Sequence, residues 1–456
     1  MGATSSGLTR LTGWGRTAPS TARLVTVDSA GLAEALTDVT SRGALVRGLG
    51  RSYGDAAQNG GGLVVRLAGA AADAVLDPAA HEITVSAGVS IDDLLRVIVP
   101  QGYFVPVTAG TRFVTIGGAI ASDIHGKNHH GDGSFGNHVG SMRLLLADGS
   151  IATISPTERP ELFWATIGGM GLTGVVLDAT IRLLPVESSR CVVDTMRVPD
   201  LESVLALMEE GDHRYRYAVA WIDLMAKGKH LGRSVLSRGD HARLEQLSGR
   251  ERGHPFAYRA GIIAGVPPIF PMSALNRVTI KVFNELWFRK APKYSVGDIQ
   301  SIPQYFHPLD MIGNWNRAYG PHGFVQYQIL VPFGEERALR QVIERLASSG
   351  AASFVTVLKR FGAASQAPLS FPAPGWTLTL DIPAGTHGLS SMLHELDDLV
   401  LVAGGRHYMA KDSHTTPEAI RRGYPRLAEW QAIRNAVDPD GVWQSDLARR
   451  LGLLDA

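Results

Sequence analysis

Ten residues limit what this chain can fold into more than any others: Val46-Arg47-Gly48-Leu49-Gly50-Arg51-Ser52-Tyr53-Gly54-Asp55. The apolar run Ala44–Val46 reads as a short strand entering a turn that carries two arginines, a tyrosine and an aspartate. Glycines let backbone turn sharply and expose successive N–H groups, and such a nest binds phosphate oxygens. A dinucleotide pyrophosphate is the natural guest. The stretch departs from the G-x-G-x-x-G pattern, because Tyr53 stands where the third glycine belongs. Residues 54–62 show no helical periodicity, so a pyrophosphate on a helix N-terminus is not expected. The competing reading is an ordinary glycine-rich surface turn.

Two further glycine-dense stretches weigh against that reading. Thr108–Thr111 leads into Val114–His130, with Gly117 and Gly118, and Ile167–Val176 holds Gly168, Gly169, Gly171 and Gly174. Three such loops, each beside an apolar segment, suggest backbone apposed to one long, flat ligand.

These stretches resemble the FAD-binding domain of the vanillyl-alcohol-oxidase or p-cresol methylhydroxylase (PCMH) type of flavoprotein. Within it they are most similar to the family that oxidises polyprenylphosphate-linked ribose. The similarity rests on Leu11–Pro19, Gly48–Asp55, Asp123–His130, Gly133–His138, Asn314–Gly320, Gln326–Gln328 and Ala410–Ser413, and spans nearly the whole chain. It implies an α+β, two-domain PCMH-type fold, with a substrate or cap domain built on an antiparallel sheet. It implies FAD held without a covalent bond, by Arg47, Gly48, Leu49, Gly50, Arg51, Ser52, Tyr53, Gly54, Asp55, Gln58, Gly110, Thr115, Ile116, Gly117, Gly118, Ser122, Ile124, His125, Gly126, Asn128 and Tyr408.

The reaction so implied is oxidation of the 2′-hydroxyl of decaprenylphosphoryl-β-D-ribose to a ketone. That is the first half of an epimerisation to the arabinose donor for cell-wall arabinan. A reductase of the short-chain dehydrogenase type would complete it, and a quinone or another acceptor would reoxidise the flavin. The lipid tail implies peripheral contact with the plasma membrane, on a face the sequence leaves open. The alternatives are the same fold acting on a soluble polyol or aldonolactone, and a non-catalytic flavin-binding protein.

At 456 residues, two or three domains are expected. A net charge of +1 gives no bulk electrostatic reason to invoke nucleic acid. The single cysteine, Cys191, excludes an intramolecular disulfide and reads as a small apolar residue. The N-terminus shows no basic region followed by an apolar core, and Met1–Ser6 matches a myristoylation pattern read here as chance. No apolar run approaches the roughly 20 residues that span a bilayer.

Taken in order, residues 1–20 read as an extended arm, and Ser29–Ser41 as a helix on Leu32, Leu36 and Val39. Glu82–Ser86 alternates as a strand, Ser90 starts a helix, and Asp148-Gly149 signals a hairpin. Residues 1–187 form the expected cofactor domain. Residues 188–408 form the substrate domain, with an apolar flap near 254–296 centred on the Pro/Gly-broken Arg259–Val278. Residues 228–300 look irregular. From Phe324 the pattern is strand, helix, strand, strand, helix, strand, the order of a ferredoxin-like split sheet. Residues 409–456 are a C-terminal segment, helical and basic from Thr416, that by the resemblance returns to the flavin domain.

Alcohol oxidation by a flavin needs a base near the hydroxyl and polar groups that position the substrate. Lys411 is the first candidate: confined in an apolar interface, a lysine loses solvation and becomes a base. A solvated surface lysine is the plain alternative, and the Ala410–Ser413 motif matches the family's essential lysine. His125 follows as an acid–base group, then Tyr53 on the substrate side of the loop. Four histidines, His125, His129, His130 and His138, raise the question of metal, but glycines break the spacing and no metal is expected.

In period-2 geometry Gln326 and Gln328 share a strand face, odd for a core and reasonable for a polar site. With Lys359 they are candidates for the sugar and phosphate, with Trp221 and Phe306 as apolar walls. Thr377 and Thr379 complete the substrate set. Family members carry asparagine, cysteine and tyrosine at positions 377, 379 and 306. The cysteine is the thiol that nitroaromatic inhibitors bond, and Thr379 cannot form that adduct.

Overall fold

The computed structural model describes residues 4–267, 276–349, 353 and 355–454. The centre of the expected flap, residues 268–275, lies outside them, as do residues 1–3 of the myristoylation pattern. The fold is of the α+β class. Its first half carries a four-stranded sheet, Thr4–Leu11, Ser20–Val27, Leu63–Leu67 and Ala44–Val46, and a five-stranded antiparallel sheet. The latter runs Val75–Asp77, Glu82–Ser86, Val175–Arg182, Val139–Leu145 and Ile151–Ile154. The expected N-terminal arm is instead an edge strand, Thr4–Leu11 antiparallel to Ser20–Val27. A glycine- and threonine-rich segment has little propensity of its own, and a partner strand supplies its hydrogen bonds.

Local signals act as physics dictates. The Ser90 side chain accepts from the Asp93 N–H and caps Ile91–Ile98, whose Leu94, Leu95 and Ile98 are fully buried. At the Asp148-Gly149 turn, Gly149 takes φ 82°, which an L side chain resists.

The second half is one eight-stranded antiparallel sheet. Its order is Tyr294–Ser301, Arg190–Val198, Ser234–His241, Tyr217–Ile222, Thr356–Phe361, Gly375–Pro383, Phe324–Pro332 and Arg406–His407. In chain order each group of four strands reads 4-1-3-2, so two split β-α-β-β-α-β units join edge to edge through Tyr217–Ile222 and Thr356–Phe361. Segment 228–300, expected to be irregular, supplies two of these strands and the helix Arg277–Lys290. Both strands lean on the well-paired Arg190–Val198, which overrides their weak alternation.

Alternation decides what each face of this sheet meets. Val325, Tyr327, Ile329 and Val331, with Leu378, Leu380 and Ile382, pack under helices Leu201–Gly211, Glu336–Ser349 and Leu389–Val402. The alternate residues Gln326, Gln328, Thr377, Thr379, Asp381 and Lys359 face the other way, toward the first half of the chain. Helix Arg277–Lys290 covers neither face. It docks on the end of the sheet, where Asn284 donates to Asp223 (2.8 Å) and to the Ser353 carbonyl (3.4 Å).

The C-terminal helices Pro417–Gly423, Leu427–Val437 and Asp446–Leu451 share a core with Ala56, Ala165, Met170 and Leu172 of the first half. Trp443 bridges in parallel to Ala44, so the tail packs beside the strand that opens the glycine loop.

Candidate active site

The loop after Ala44–Val46 stays non-helical as far as Gly62. Gly50 sits at φ 64°, and a Cβ there would lie 2.3 Å from the Arg47 guanidinium. Among the described residues, the N–H groups of Gly48, Leu49, Gly50, Arg51 and Ser52 have no hydrogen-bond partner, whereas Tyr53 donates to the Ala410 carbonyl (3.0 Å). Five consecutive free donors on a glycine turn are the chemistry a pyrophosphate requires.

The charged residues of the loop are engaged elsewhere. Arg47 donates to the carbonyls of Ala57 (2.6 Å) and Thr12 (2.7 Å), and burial, then Arg66 and Arg51, lower its pKa to about 10. Asp55 is held by Arg450 through two 2.8 Å bonds. Arg51 lies 4.2 Å over the Trp14 ring. Gln58 is fully buried and donates to the Ala18 carbonyl (3.0 Å).

The other two glycine stretches differ from what the sequence suggests. Ile116–Ala121 is a helix, capped by the Thr115 hydroxyl on the Gly118 N–H (3.1 Å). The N–H groups of Ile116 and Gly117 bond to the carbonyls of Val89 and Ala87. Ile167–Val176 is a loop, but Gly168 and Met170 donate to Ile120 and Ala121. The first stretch keeps five consecutive donors free, at Gly48–Ser52.

Opposite it, the inward sheet face and the segment Tyr408–Asp412 converge on Lys411. Its Nζ lies 4.1 Å from the Tyr53 ring centroid. Burial pushes its pKa down to about 7, partly opposed by Asp381 and assisted by Lys359. Asp381 is fully buried, accepts from Gln326 (2.6 Å) and from the Tyr319 hydroxyl (3.3 Å), and burial raises its pKa. Burial likewise raises the Tyr53 hydroxyl well above its usual value, so it stays protonated at neutral pH.

On the next rung of the sheet, the Gln328 amide nitrogen is 2.9 Å from His125 Nε2 and 3.2 Å from the Thr377 hydroxyl. With that amide donating, Nε2 accepts and the ring proton sits on Nδ1, which is buried without a partner. Burial, then Lys359, His129 and Lys411, hold His125 well below its ordinary pKa, so the imidazole is neutral.

Lys359 pairs across the sheet with Thr377, and burial lowers its pKa to about 8. Trp221 and Thr379 both face Val357 from neighbouring strands. Phe306 lies apart, in an aromatic cluster with Phe104 and Tyr217. Asn128 supports the loop through the Pro106 carbonyl (2.8 Å) and Asp132 (2.6 Å), and Tyr408 through the Ser122 carbonyl (2.7 Å). A Cβ on Gly126 would meet Asn128 at 2.5 Å, Ile124 is buried, and Gly110 is exposed with nothing within 4 Å of a Cβ. Among the described residues no three metal-ligating side chains converge.

Two charged residues escape a reading by motif. Asp381 stands two residues beyond Thr379 on the same strand face, a spacing that could have exposed it. Lys127, within the histidine-rich stretch, donates to the Tyr305 carbonyl and lies 4.0 Å over that ring, with its pKa pushed down by burial to about 7.

Comparison with known proteins agrees with this geometry. Residues 26–155 match the FAD binding domain family, and residues 335–451 match the D-arabinono-1,4-lactone oxidase family. The chain is 46% identical over 451 residues to the decaprenylphosphoryl-beta-D-ribose oxidase of Mycolicibacterium smegmatis, covering 98% of each chain. It is 40% identical over 372 residues to an uncharacterised Streptomyces coelicolor protein, covering 80% of this chain and all of that one. A D-arabinono-1,4-lactone oxidase of Yarrowia lipolytica is 29% identical over 104 residues, 23% of this chain and 20% of that one. FAD is the cofactor, and the free amides of Gly48–Ser52 fit its pyrophosphate. The chain belongs to the decaprenylphosphoryl-β-D-ribose oxidase family of FAD-dependent oxidoreductases that act on CH–OH groups.

Proposed function

We propose that this protein oxidises the 2′-hydroxyl of decaprenylphosphoryl-β-D-ribose to the 2′-ketone. The observation that carries the reading is half-buried Lys411 over the Tyr53 ring beside buried Asp381, with the turn of free amides directly before Tyr53. Bound FAD supplies the acceptor for the hydride. Lys411 Nζ, which burial brings into a partly neutral state near pH 7, takes the hydroxyl proton, and the Tyr53 ring steadies the ammonium that results. Asp381 sets how readily that ammonium forms, and Gln326 fixes the Asp381 carboxyl group.

Gln328 and the neutral His125 Nδ1–H offer hydrogen bonds to sugar hydroxyls. Lys359 and Lys127, for which no ion pair exists among the described residues, suit the phosphodiester. Trp221, Thr377 and Thr379 shape the wall beside it. A short-chain dehydrogenase-type reductase then consumes the ketone, and a quinone or similar acceptor reoxidises the flavin. No helix among the described residues is long and apolar enough to cross a membrane, and the lipid-linked substrate calls for peripheral contact.

The match of residues 335–451 to the lactone oxidase family favours a second reading, oxidation of a soluble sugar lactone. Anaerobic titration of the purified flavoprotein separates the two. Bleaching of the flavin bands by a short-chain polyprenylphosphoryl ribose, and not by free ribose or aldonolactones, is expected. Bleaching only by a soluble sugar would establish the second reading.

A further inference from the structure

Helix Arg277–Lys290 leaves most of its apolar side chains in water. Its inward side is Ile280 and Asn284, with Asn284 bonded to Asp223 and Glu285 paired with Arg233 (2.6 Å). Its outward side is apolar: Val278 is 72% exposed, Val282 54%, Leu286 63% and Trp287 45%. At 100° per residue Val278, Val282 and Leu286 fall within about 80° of one another, and Trp287 lies about 100° further round. The edge strand that follows adds Tyr294 (65%) and Val296 (61%). A helix that buries Ile280 and half-buries Phe288 but leaves Val278, Val282, Leu286 and Trp287 in water is built for another apolar medium.

Charge points to which medium. Arg277, Lys281, Arg289, Lys290 and Lys293 are all exposed along this helix and the turn after it. The helix's single acid, Glu285, is already paired with Arg233 and Arg289. Exposed cations set among and beside Leu286 and Trp287 match the headgroups and acyl boundary of an anionic bilayer. A second copy of the same face would bring like charges together.

Position agrees as well. The Ser353 carbonyl accepts from Asn284, while its hydroxyl accepts from the backbone N–H of Asp381 (3.1 Å). One residue therefore separates the helix from the carboxylate beside Lys411. We infer that the outer face of Arg277–Lys290, with Tyr294 and Val296, is the surface by which the protein seats itself on an anionic lipid bilayer, next to the entrance for a lipid-linked substrate. The inference rests on the proposed function for its purpose and on exposed residues for its location.

The test is co-sedimentation of the FAD-loaded protein with phosphatidylglycerol-containing vesicles and with pure phosphatidylcholine vesicles. Preferential binding to the anionic vesicles is expected. The double variant Leu286→Glu, Trp287→Glu should lose binding by at least about tenfold. Lys290→Glu with Lys293→Glu should weaken it by about fivefold per charge and leave it insensitive to salt. Val402→Glu, at a still more exposed apolar site on another helix (81%), should bind like the wild type. All variants should keep wild-type turnover of a water-soluble short-chain substrate.

Wild-type protein that ignores anionic vesicles overturns the inference, and so does a Leu286/Trp287 variant that binds them fully. A concentration-dependent dimer that this variant abolishes, with vesicle binding intact, overturns it in favour of a second copy. Failure of the short-chain substrate to bleach the flavin strikes the proposed reaction instead, and leaves the vesicle result standing.

Discussion

Burial takes the ammonium of Lys411 down to about 7 while Asp381 opposes the shift. A base must be neutral to accept a proton, so kcat/KM should rise with pH through about 7 and level off above it. In Asp381→Asn the opposing anion is gone, the ammonium is less favoured, and the rising limb should move to lower pH. A limb that stays in place would remove Asp381 from the mechanism. The two groups titrate together, so the profile reports the pair. Lys411→Arg keeps the positive charge but cannot deprotonate at working pH. Turnover should fall by about 10²–10⁴ while the flavin spectrum persists. Thr379, 8% exposed on the site face, presents a hydroxyl where the family carries a thiol. Intact-mass measurement should find no nitroaromatic adduct on this protein and one adduct on Thr379→Cys.

Between elements, the closest approach in the site is Gly54 to the segment after Lys411. A Cβ on Gly54 would stand 2.0 Å from the Asp412 carbonyl oxygen. Backbone cannot yield as a side-chain tip can, so Gly54→Ala should displace the Lys411 segment and lower kcat at least about tenfold. Gly253→Ala, with nothing within 4 Å, is the control. Elements with strong local patterns were legible in the sequence: Ser90's helix, the Asp148-Gly149 turn, and helix Leu389–Val402 between its strands. Thr4–Leu11 and the strands within 228–300 were not, because pairing partners far along the chain hold them as strands. The helix at Ile116–Ala121 was missed for a related reason. Two glycines argue against a helix locally, and the carbonyls of Val89 and Ala87 stabilise its first turn from outside.

Across the whole molecule, Arg450 ties the two ends of the chain at the site. It pairs with Asp55 of the glycine loop, with Asp412 beside Lys411 (2.9 Å), and with the Thr415 carbonyl (3.0 Å). Beneath it, Asp397 accepts from the Tyr327 hydroxyl (3.0 Å) and pairs with His414 (3.3 Å). Arg450→Met leaves two largely buried carboxylates without their cation and should cost about 2–4 kcal/mol. Thermal melts should show the loss, and FAD should dissociate more readily because Asp55 belongs to its loop. Sequence alone was enough for the nest of glycines, the period-2 placement of Gln326 and Gln328, and the matching lysine motif, since backbone freedom and strand alternation are local properties. It could not say that Arg47 and Asp55 spend their charges inside the protein, that Asp381 opposes Lys411, or that Arg277–Lys290 turns its apolar side outward. Those facts depend on which distant groups arrive beside a residue, and burial and pairing with them set its charge and its exposure.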